Sequence, residues 1–344
     1  MNKKKLILLI TGLLLIIGAV FAYNTYNKIY APNTVKEGFI HIKTNSSLKD
    51  LENEIRPFLK RVKPFIWVAN RKNYNTKIRA GKFKIPKGIS NNDLINLLRS
   101  GKQTPVKLVF NNQHTLADLA GRVATQIEAD SISILNAIKD KQFLNKNNFT
   151  EKSVLGMFVP NSYEFYWNST GEDFRNKMLI EYNRFWTDKR IKRARTLKLT
   201  RTQVIALASI VQKETAKISE RPTVAGLYLN RIKRRIPLQA DPTIIYALKE
   251  KHGKDFVVKR VLLKDLKIKS PYNTYQNRGV PPTLIAMPDI SSIDAVLFAQ
   301  KHNYIYMCAS VDKIGYHAFA STLRKHNINA AKYHRWMNQQ GINR

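Results

Sequence analysis

The sequence predicts an α+β protein: a membrane-anchored ectodomain in which a small mixed module precedes a larger mixed α/β domain. Three observations predict it. Residues 6–23 are uncharged and almost wholly apolar, which is enough to cross a bilayer if a little interfacial sequence is used. After them, short capped amphipathic patterns interleave with short strand-like runs. Finally, 344 residues of which 44% are hydrophobic exceed one minimal domain and are ample for packed cores. The expected boundaries are 1–5 for a cytoplasmic N-terminus, 6–23 for the transmembrane helix, 24–37 for a polar stalk, 38–103 for the small module and 104–344 for the larger domain.

Three lysines in "MNKKK" precede the apolar run, which favours an N-terminus in the cytoplasm. A cleaved signal peptide would have a shorter apolar core ending in a small-x-small site, and "GAVFAYNTY" is a poor one. An uncleaved anchor is therefore expected, with everything beyond about Asn24 outside the cytoplasm. Lys and Arg number 59 against 24 Asp and Glu, a formal net charge of +35. That excess calls first for nucleic acid. Behind an anchor it instead meets anionic lipid headgroups and a carboxylate-bearing cell wall, or it reflects genome composition. The single cysteine, Cys308, excludes an intramolecular disulfide and a thiolate metal cluster, and its segment "YIYMCA" predicts a small core residue.

Within 38–103, "GFIHIKT" reads as a strand. "SSLKDLENEIRPFL" reads as a helix with Ser47 and Asp50 at capping-box spacing and Leu48, Leu51, Ile55 and Leu59 on one face. "KPFIWVANR" is a second short helix, and "IRAGKFKIP" a strand with Gly81 at its start. "ISNNDLINLLRSG" repeats the helix logic, with Ser90 and Asp93 as capping candidates, Leu94, Leu97 and Leu98 inward, and Gly101 as terminator. The larger domain opens with the strand "TPVKLVF" and the helix "HTLADLAGRVATQI". "LGMFVPNSYEFYW" reads as strand and turn, and 172–198 as a basic helical stretch. "YIYMCASVDKIGYHAF" reads as a hairpin turning near Asp312–Gly315, followed by a last helix with Asn329 as its cap.

The chemistry concentrates in 200–300. In "LTRTQVIALASIVQKETAK", Thr200 or Thr202 caps a helix on which Val204, Leu207, Val211 and Glu214 fall at i, i+3, i+7 and i+10. A lone carboxylate thus continues an apolar stripe. On these residues alone two readings stand: a salt bridge to one of the many arginines, or a carboxyl whose pKa is raised by apolar neighbours and which donates a proton to a glycosidic oxygen. In "LQADPT", Asp241 before Pro242 fits an N-cap with proline at the first helical position, or a second polar residue of a site. In "YNTYQNRGVPP", Tyr272, Asn273, Thr274 and Tyr275 set rings beside amides, as a sugar site or a structured loop would. The seven histidines are scattered without H-E-x-x-H, so no metal is expected. No G-x-S-x-G and no phosphate-cradling glycine loop occurs, and no cofactor is expected. His317 in "GYHAF" reads as a satisfied core or edge histidine. Elimination leaves carboxylate acid–base chemistry as the leading enzymatic option.

"LASIVQKETAKISERPTVAGLYLNRIKRRIPLQADPTIIYAL" resembles the signature of the endolytic murein transglycosylase (MltG or YceG-like) family. "SPYNTYQNRGVPPTLIAMPD" and "YHAFASTLRKHN" resemble its later blocks, and "IRAGKFKIPKGISNNDLINLLRSGK" its LysM-like N-terminal module. The family's catalytic glutamate is the second acidic position of an E-x-E-T-like turn, which falls on Glu214; the first acidic position is Gln212 here. Gln212 lies about 160° around the helix from Glu214, so the helical face agrees with that assignment. The resemblance implies non-hydrolytic cleavage of the N-acetylmuramic acid–N-acetylglucosamine bond, leaving 1,6-anhydro ends and terminating strand elongation. Glu214 would serve as acid and then base, with Gln239, Asp241, Tyr272 and Asn273 as candidate substrate-binding residues. It implies peptidoglycan glycan strands and the cytoplasmic membrane as partners, with peptidoglycan synthases as a further class. The competing readings are a hydrolytic muramidase using Asp241 or Glu220 as second carboxylate, a non-catalytic wall-binding anchor, and, last, a nucleic-acid-binding protein.

Overall fold

The structure is a computed structural model and describes residues 3–340. Its first element, α1 (Lys3–Tyr30), is one unbroken helix of 28 residues. Among the described residues it is the one helix long and apolar enough to cross a membrane. At about 1.5 Å per residue it extends about 42 Å, beyond the about 30 Å of a hydrocarbon core. Its apolar side chains, Leu8, Leu15 and Phe21 among them, are exposed along its length, as a single-pass membrane anchor requires. Residues 24–37, expected as a polar stalk, are built differently. The helix continues to Tyr30, and Pro32 and Thr34 then form bridges with Ser90 and Leu59. Ile29, in the last helical turn, packs against the following core. Asn33 is buried, donates to the Arg61 carbonyl (2.8 Å) and to Asn91 Oδ1 (2.7 Å), and accepts from the Arg61 amide (2.9 Å). A segment whose polar atoms are satisfied inside a core is not a free linker.

β1 (Gly38–Ile42), α2 (Leu48–Ile55), α3 (Val62–Arg71), β2 (Gly81–Ile85) and α4 (Asn91–Ser100) follow. β1 and β2 pair antiparallel, Gly38 opposite Ile85 and Ile42 opposite Gly81. The local signals act as their chemistry dictates. Ser47 Oγ accepts from the Asp50 amide while Asp50 accepts in return from the Ser47 amide, and Ser90 caps α4 through the Asp93 amide. Gly101, at φ 68°, ends α4 in the left-handed conformation that favours glycine. Ile40, Ile42, Leu51, Ile55, Phe65, Phe83, Ile85, Leu94 and Leu98 form the core; Leu97 is only partly buried. The chain divides into two compact units. The first runs to Leu108 and also takes in Ala124–Asp130 and Tyr163–Thr170. Glu128 reaches the first part by accepting from the Thr44 amide (2.7 Å) and hydroxyl (2.8 Å), and Trp167 by packing on His41 (ring centroids 4.9 Å).

β3 (Val106–Phe110) pairs with β4 (Asn161–Phe165) in a two-stranded sheet. The second unit is mainly helical: α5 (Leu116–Ala124), α6 (Ser131–Ile138), α7 (Lys141–Lys146), α8 (Gly171–Phe185), α9 (Asp188–Thr196), α10 (Arg201–Glu214), α11 (Arg221–Lys233), α12 (Asp241–His252) and α13 (Ile290–Leu297). A hairpin of β5 (Tyr306–Ala309) and β6 (His317–Ala320) precedes α14 (Leu323–Gln339). The last helix starts earlier than Asn329 predicts. Thr322 caps it through the Lys325 amide, and Asn329 lies inside it. At the centre of this unit is α10, packed on α11, α12 and α13. Every residue from Val204 to Val211 is buried, so α10 has no solvent face there rather than one apolar stripe. Ala206, Ala208 and Ser209 allow that approach, and Ser209 Oγ accepts from the Ile285 amide at 3.0 Å. Short two-stranded sheets among many helices make the whole α+β.

Candidate active site

Thr200, not Thr202, starts α10: its hydroxyl accepts from the Gln203 amide while the Gln203 side chain accepts from the Thr200 amide. The helix ends at Glu214, because Thr215 turns extended at φ −139°. Glu214 is thus the last helical residue, at the end where the helix dipole opposes negative charge. Around it lies a cavity of about 260 Å³ whose polar lining is Glu214, Tyr228, Arg231, Gln239, Asp241, Tyr275 and His317. Tyr228, buried on α11, donates its hydroxyl to Glu214 Oε1 at 2.6 Å. Glu214 makes no ion pair among the described residues, in contrast to the salt-bridge reading. Arg231, the nearest candidate, has its guanidinium committed to the carbonyls of Ile305 and Leu238, both at 2.7 Å.

These surroundings push the Glu214 carboxyl up to about 7, by burial first and by the charge of Asp241 in addition, against the Tyr228 hydrogen bond and the positive influence of His317 and Arg231. Burial and the neighbouring Glu214 push the Tyr228 phenol up as well, so it stays a donor. A carboxyl of this kind holds a proton at neutral pH yet can release it, which suits a general acid.

Asp241 is not the N-cap of α12; Ala240 occupies that position, and Asp241 stands in the first turn before Pro242. Its carboxylate accepts from the Tyr275 hydroxyl at 2.5 Å. Gln239 sits at φ 51°, a left-handed conformation uncommon for a residue with a side chain. Its amide donates to the Thr274 carbonyl (3.0 Å), and its side chain accepts from Arg231. The structure therefore brings Glu214, Gln239 and Asp241 to one cavity. It does not bring Tyr272 and Asn273 there. Both are buried: Tyr272 pairs its hydroxyl with Thr283 at 2.7 Å, and Asn273 donates to the carbonyls of Leu266 and Ile268. Asn273 also accepts from the Tyr275 amide at 2.9 Å, so it braces the loop behind the one residue of that motif that reaches the cavity.

Three polar lining residues have no site role in the sequence reading, Tyr228, Arg231 and His317, and Tyr275 enters it only as part of the "YNTYQNRGVPP" cluster. Tyr228 and Arg231 stand three apart on α11, so a shared face was the available signal. His317 carried none, because its partner is remote in sequence. Buried Glu220 accepts from the His317 amide at 2.6 Å and meets His317 Nδ1 at 2.9 Å. That clamp occupies Nδ1 and leaves Nε2 as the free ring nitrogen of a cavity-lining histidine. Cys308 is half-buried on the cavity wall rather than in a core, and burial pushes its thiol up.

Several known proteins are similar to this chain. The endolytic murein transglycosylase of Bacillus subtilis (strain 168) is 29% identical over 270 residues, 74% of this chain and 73% of that protein. The protein of the same name from Streptococcus pneumoniae strain D39 is 27% identical over 296 residues, covering 78% of this chain and 53% of its own length. This chain thus spans about half of the pneumococcal relative. A crystal structure of a yceG-like protein from Listeria monocytogenes, 23% identical, matches with a TM-score of 0.54 over 85% of this chain and 98% of that one, and shares the fold. The YceG-like family pattern matches residues 40–332, from β1 into α14 and across every residue of the cavity, and the chain belongs to the YceG-like family.

Proposed function

We propose that this protein is a membrane-anchored endolytic lytic transglycosylase that cleaves the bond between N-acetylmuramic acid and N-acetylglucosamine in nascent peptidoglycan strands. The observation that carries the reading is Glu214: a carboxyl with no cationic partner, held by one neutral hydroxyl at a cavity wall and pushed up to about 7. The names of the relatives support the substrate class. Glu214 gives its proton to the glycosidic oxygen as the bond to the muramyl anomeric carbon breaks. The resulting carboxylate, steadied by the Tyr228 hydroxyl, then takes the proton of the muramyl 6-hydroxyl as that oxygen bonds to the anomeric carbon. The product is a 1,6-anhydro ring, Glu214 is protonated again, and no water is consumed. Asp241, on the same cavity wall, offers negative charge to the oxocarbenium-like state, and His317 Nε2 offers a fixed hydrogen-bonding atom to a sugar substituent. One acid–base residue suffices because the substrate supplies its own nucleophile, whereas ordinary glycosidases need a second carboxylate.

The hydrolytic alternative keeps one candidate, Asp241, because Glu220 is engaged by His317. Product masses decide: the ectodomain incubated with uncrosslinked glycan yields anhydro ends, and reducing ends one water heavier would assign hydrolysis instead. Within the first unit, the order β1, α2, α3, β2 with an antiparallel strand pair supports a LysM-like glycan-holding module over residues 38–103. With the N-terminus in the cytoplasm, the cavity works outside, on a chain tethered to the membrane where strands emerge, and its cut ends elongation alongside the synthases. External protease on spheroplasts should then remove the ectodomain; full protection of the C-terminus would contradict this topology.

A further inference from the structure

The end of α1 and the face of α3 beside it form a surface that the proposed activity does not use. From Arg56 to Asn92 the sequence has eleven Lys or Arg and no Asp or Glu. On α3, Phe65, Val68 and Ala69 face the core. Lys63, Trp67 and Arg71 fall at i, i+4 and i+8, a single stripe on another side. Trp67, at its centre, meets the end of α1: the Lys28 ammonium stands 5.6 Å from the Trp67 ring centre, and the Arg71 guanidinium 5.4 Å from the same ring. The contact is held, because Asn91 on α4 donates to the Lys28 carbonyl at 2.8 Å, and Ile29 packs on the same core as Ile66 and the partly buried Trp67.

The membrane helix fixes where this stripe sits. The apolar run ends at Tyr23, and Lys28 lies about five residues on, about 7.5 Å along the axis. The headgroup layer on each side of a hydrocarbon core is about 5–8 Å thick. Lys28 and the Trp67 ring beside it therefore fall at headgroup depth. Tyr23, Tyr26 and Tyr30, all exposed, mark the same zone, since aromatic residues collect at membrane interfaces.

We propose that the Lys63–Trp67–Arg71 stripe, with Lys28, is a docking surface for anionic phospholipid headgroups of the bilayer that α1 crosses. α3 then lies on the membrane as an interfacial helix: Trp67 supplies an amphipathic ring, and the three cations meet lipid phosphate. The inference rests on α1 as a membrane helix and is independent of the chemistry at Glu214.

Tryptophan fluorescence in nanodiscs tests it with the full chain. The four tryptophans are Trp67, Trp167, Trp186 and Trp336, none of them in the apolar run. In discs of phosphatidylglycerol and phosphatidylcholine carrying bromine at a shallow acyl position, the protein should be quenched, and Trp67→Phe should remove at least half of that quenching. Lys63→Glu with Arg71→Glu, both at exposed positions, should weaken it in the anionic discs and hardly change it in purely zwitterionic ones. Leu15→Trp in the Trp67→Phe background reports insertion of α1. Quenching in that Leu15→Trp protein, with none attributable to Trp67 in the parent, would overturn the proposal while leaving the anchor intact. Shallow quenching indifferent to the charge reversals would overturn the headgroup assignment. A Trp67 signal that responds to added soluble glycan strands rather than to lipid would reassign the stripe to glycan.

Discussion

Glu214 and Glu220 are the same side chain, a few positions apart, in two settings. Glu220 is buried and answered on both oxygens, by the amide and the ring of His317. Glu214 has one hydrogen bond, from a neutral phenol, at the wrong end of a helix for its charge and on an open cavity. The first environment uses a carboxylate to fix a neighbour. The second stabilises the charge so poorly that the carboxyl is pushed up to about 7. Glu220 is the more buried of the two and Glu214 only half-buried, so what separates a structural acid from a chemical one here is the number and kind of donors aimed at each.

The largest effect expected from breaking this contrast is at Glu214→Gln. The substitution keeps shape and removes the transferable proton, and turnover of glycan should fall by about 10²–10⁴-fold. Stability should behave oppositely to a structural loss. The folded carboxyl is raised from 4.5 to about 7, so its contribution is present below 4.5 and is lost as pH rises through 7. Glutamine has no such dependence. Melting temperatures measured between about pH 4.5 and 8 should therefore show the variant gaining on the parent, and a variant that unfolds at the alkaline end would make Glu214 a structural partner.

Glu220→Gln comes next. It leaves His317 with at most one good acceptor and should cost about 1–3 kcal/mol of stability, together with a loss of turnover smaller than that at Glu214. His317→Asn should reproduce the loss of turnover with less loss of stability; full activity in that variant would remove His317 from the site. Tyr228→Phe has a smaller effect on rate but a distinctive one on pH. Tyr228 pulls the Glu214 carboxyl down, so without it the carboxyl moves further up. A rate limited by protonated Glu214 falls above about 7 in the parent, and the falling limb should move to higher pH in the variant. An unmoved limb would detach the profile from Glu214. Gln212→Glu should matter least to rate. Gln212 accepts from the Asp289 amide (2.6 Å) and Ser292 hydroxyl (3.2 Å), and its amide donates to the Met287 carbonyl (3.3 Å). Glutamate keeps the acceptor, loses the donor and adds charge beside Asp289, so the expected cost is about 1 kcal/mol of stability and little activity, read by denaturant unfolding.

What could be read in the sequence was what is local. Ser47 with Asp50 and Ser90 with Asp93 close their bonds within three residues and each predicts a helix start, while Thr200, one of two threonines that could cap α10, closes its own with Gln203. Glu214 was visible because it closes an apolar run. Its helix was read as amphipathic, yet it is enclosed on all sides by elements contributed from far along the chain. Tyr275 meets Asp241 across 34 positions and His317 meets Glu220 across 97, and no periodicity encodes such meetings. Tyr272 and Asn273 drew attention by residue type, but type does not say which side of a loop a ring faces. The stalk was misjudged for the same reason: what holds Asn33 comes from Arg61 and Asn91.

The union of α1 with the first unit bears on how an ectodomain is to be cut free. A protein beginning at Ala31 would discard the apolar run and, with it, Ile29 from the core and the Lys28 carbonyl that satisfies Asn91. Removing a packed aliphatic side chain typically costs about 2–5 kcal/mol when it is fully buried, less for a partly buried one such as Ile29. A protein beginning at Asn24 keeps both groups and sheds only the lipid-soluble length. Soluble fragments that differ only in this last stretch of α1 should differ in melting temperature, and the first amino acid chosen decides whether the module is whole.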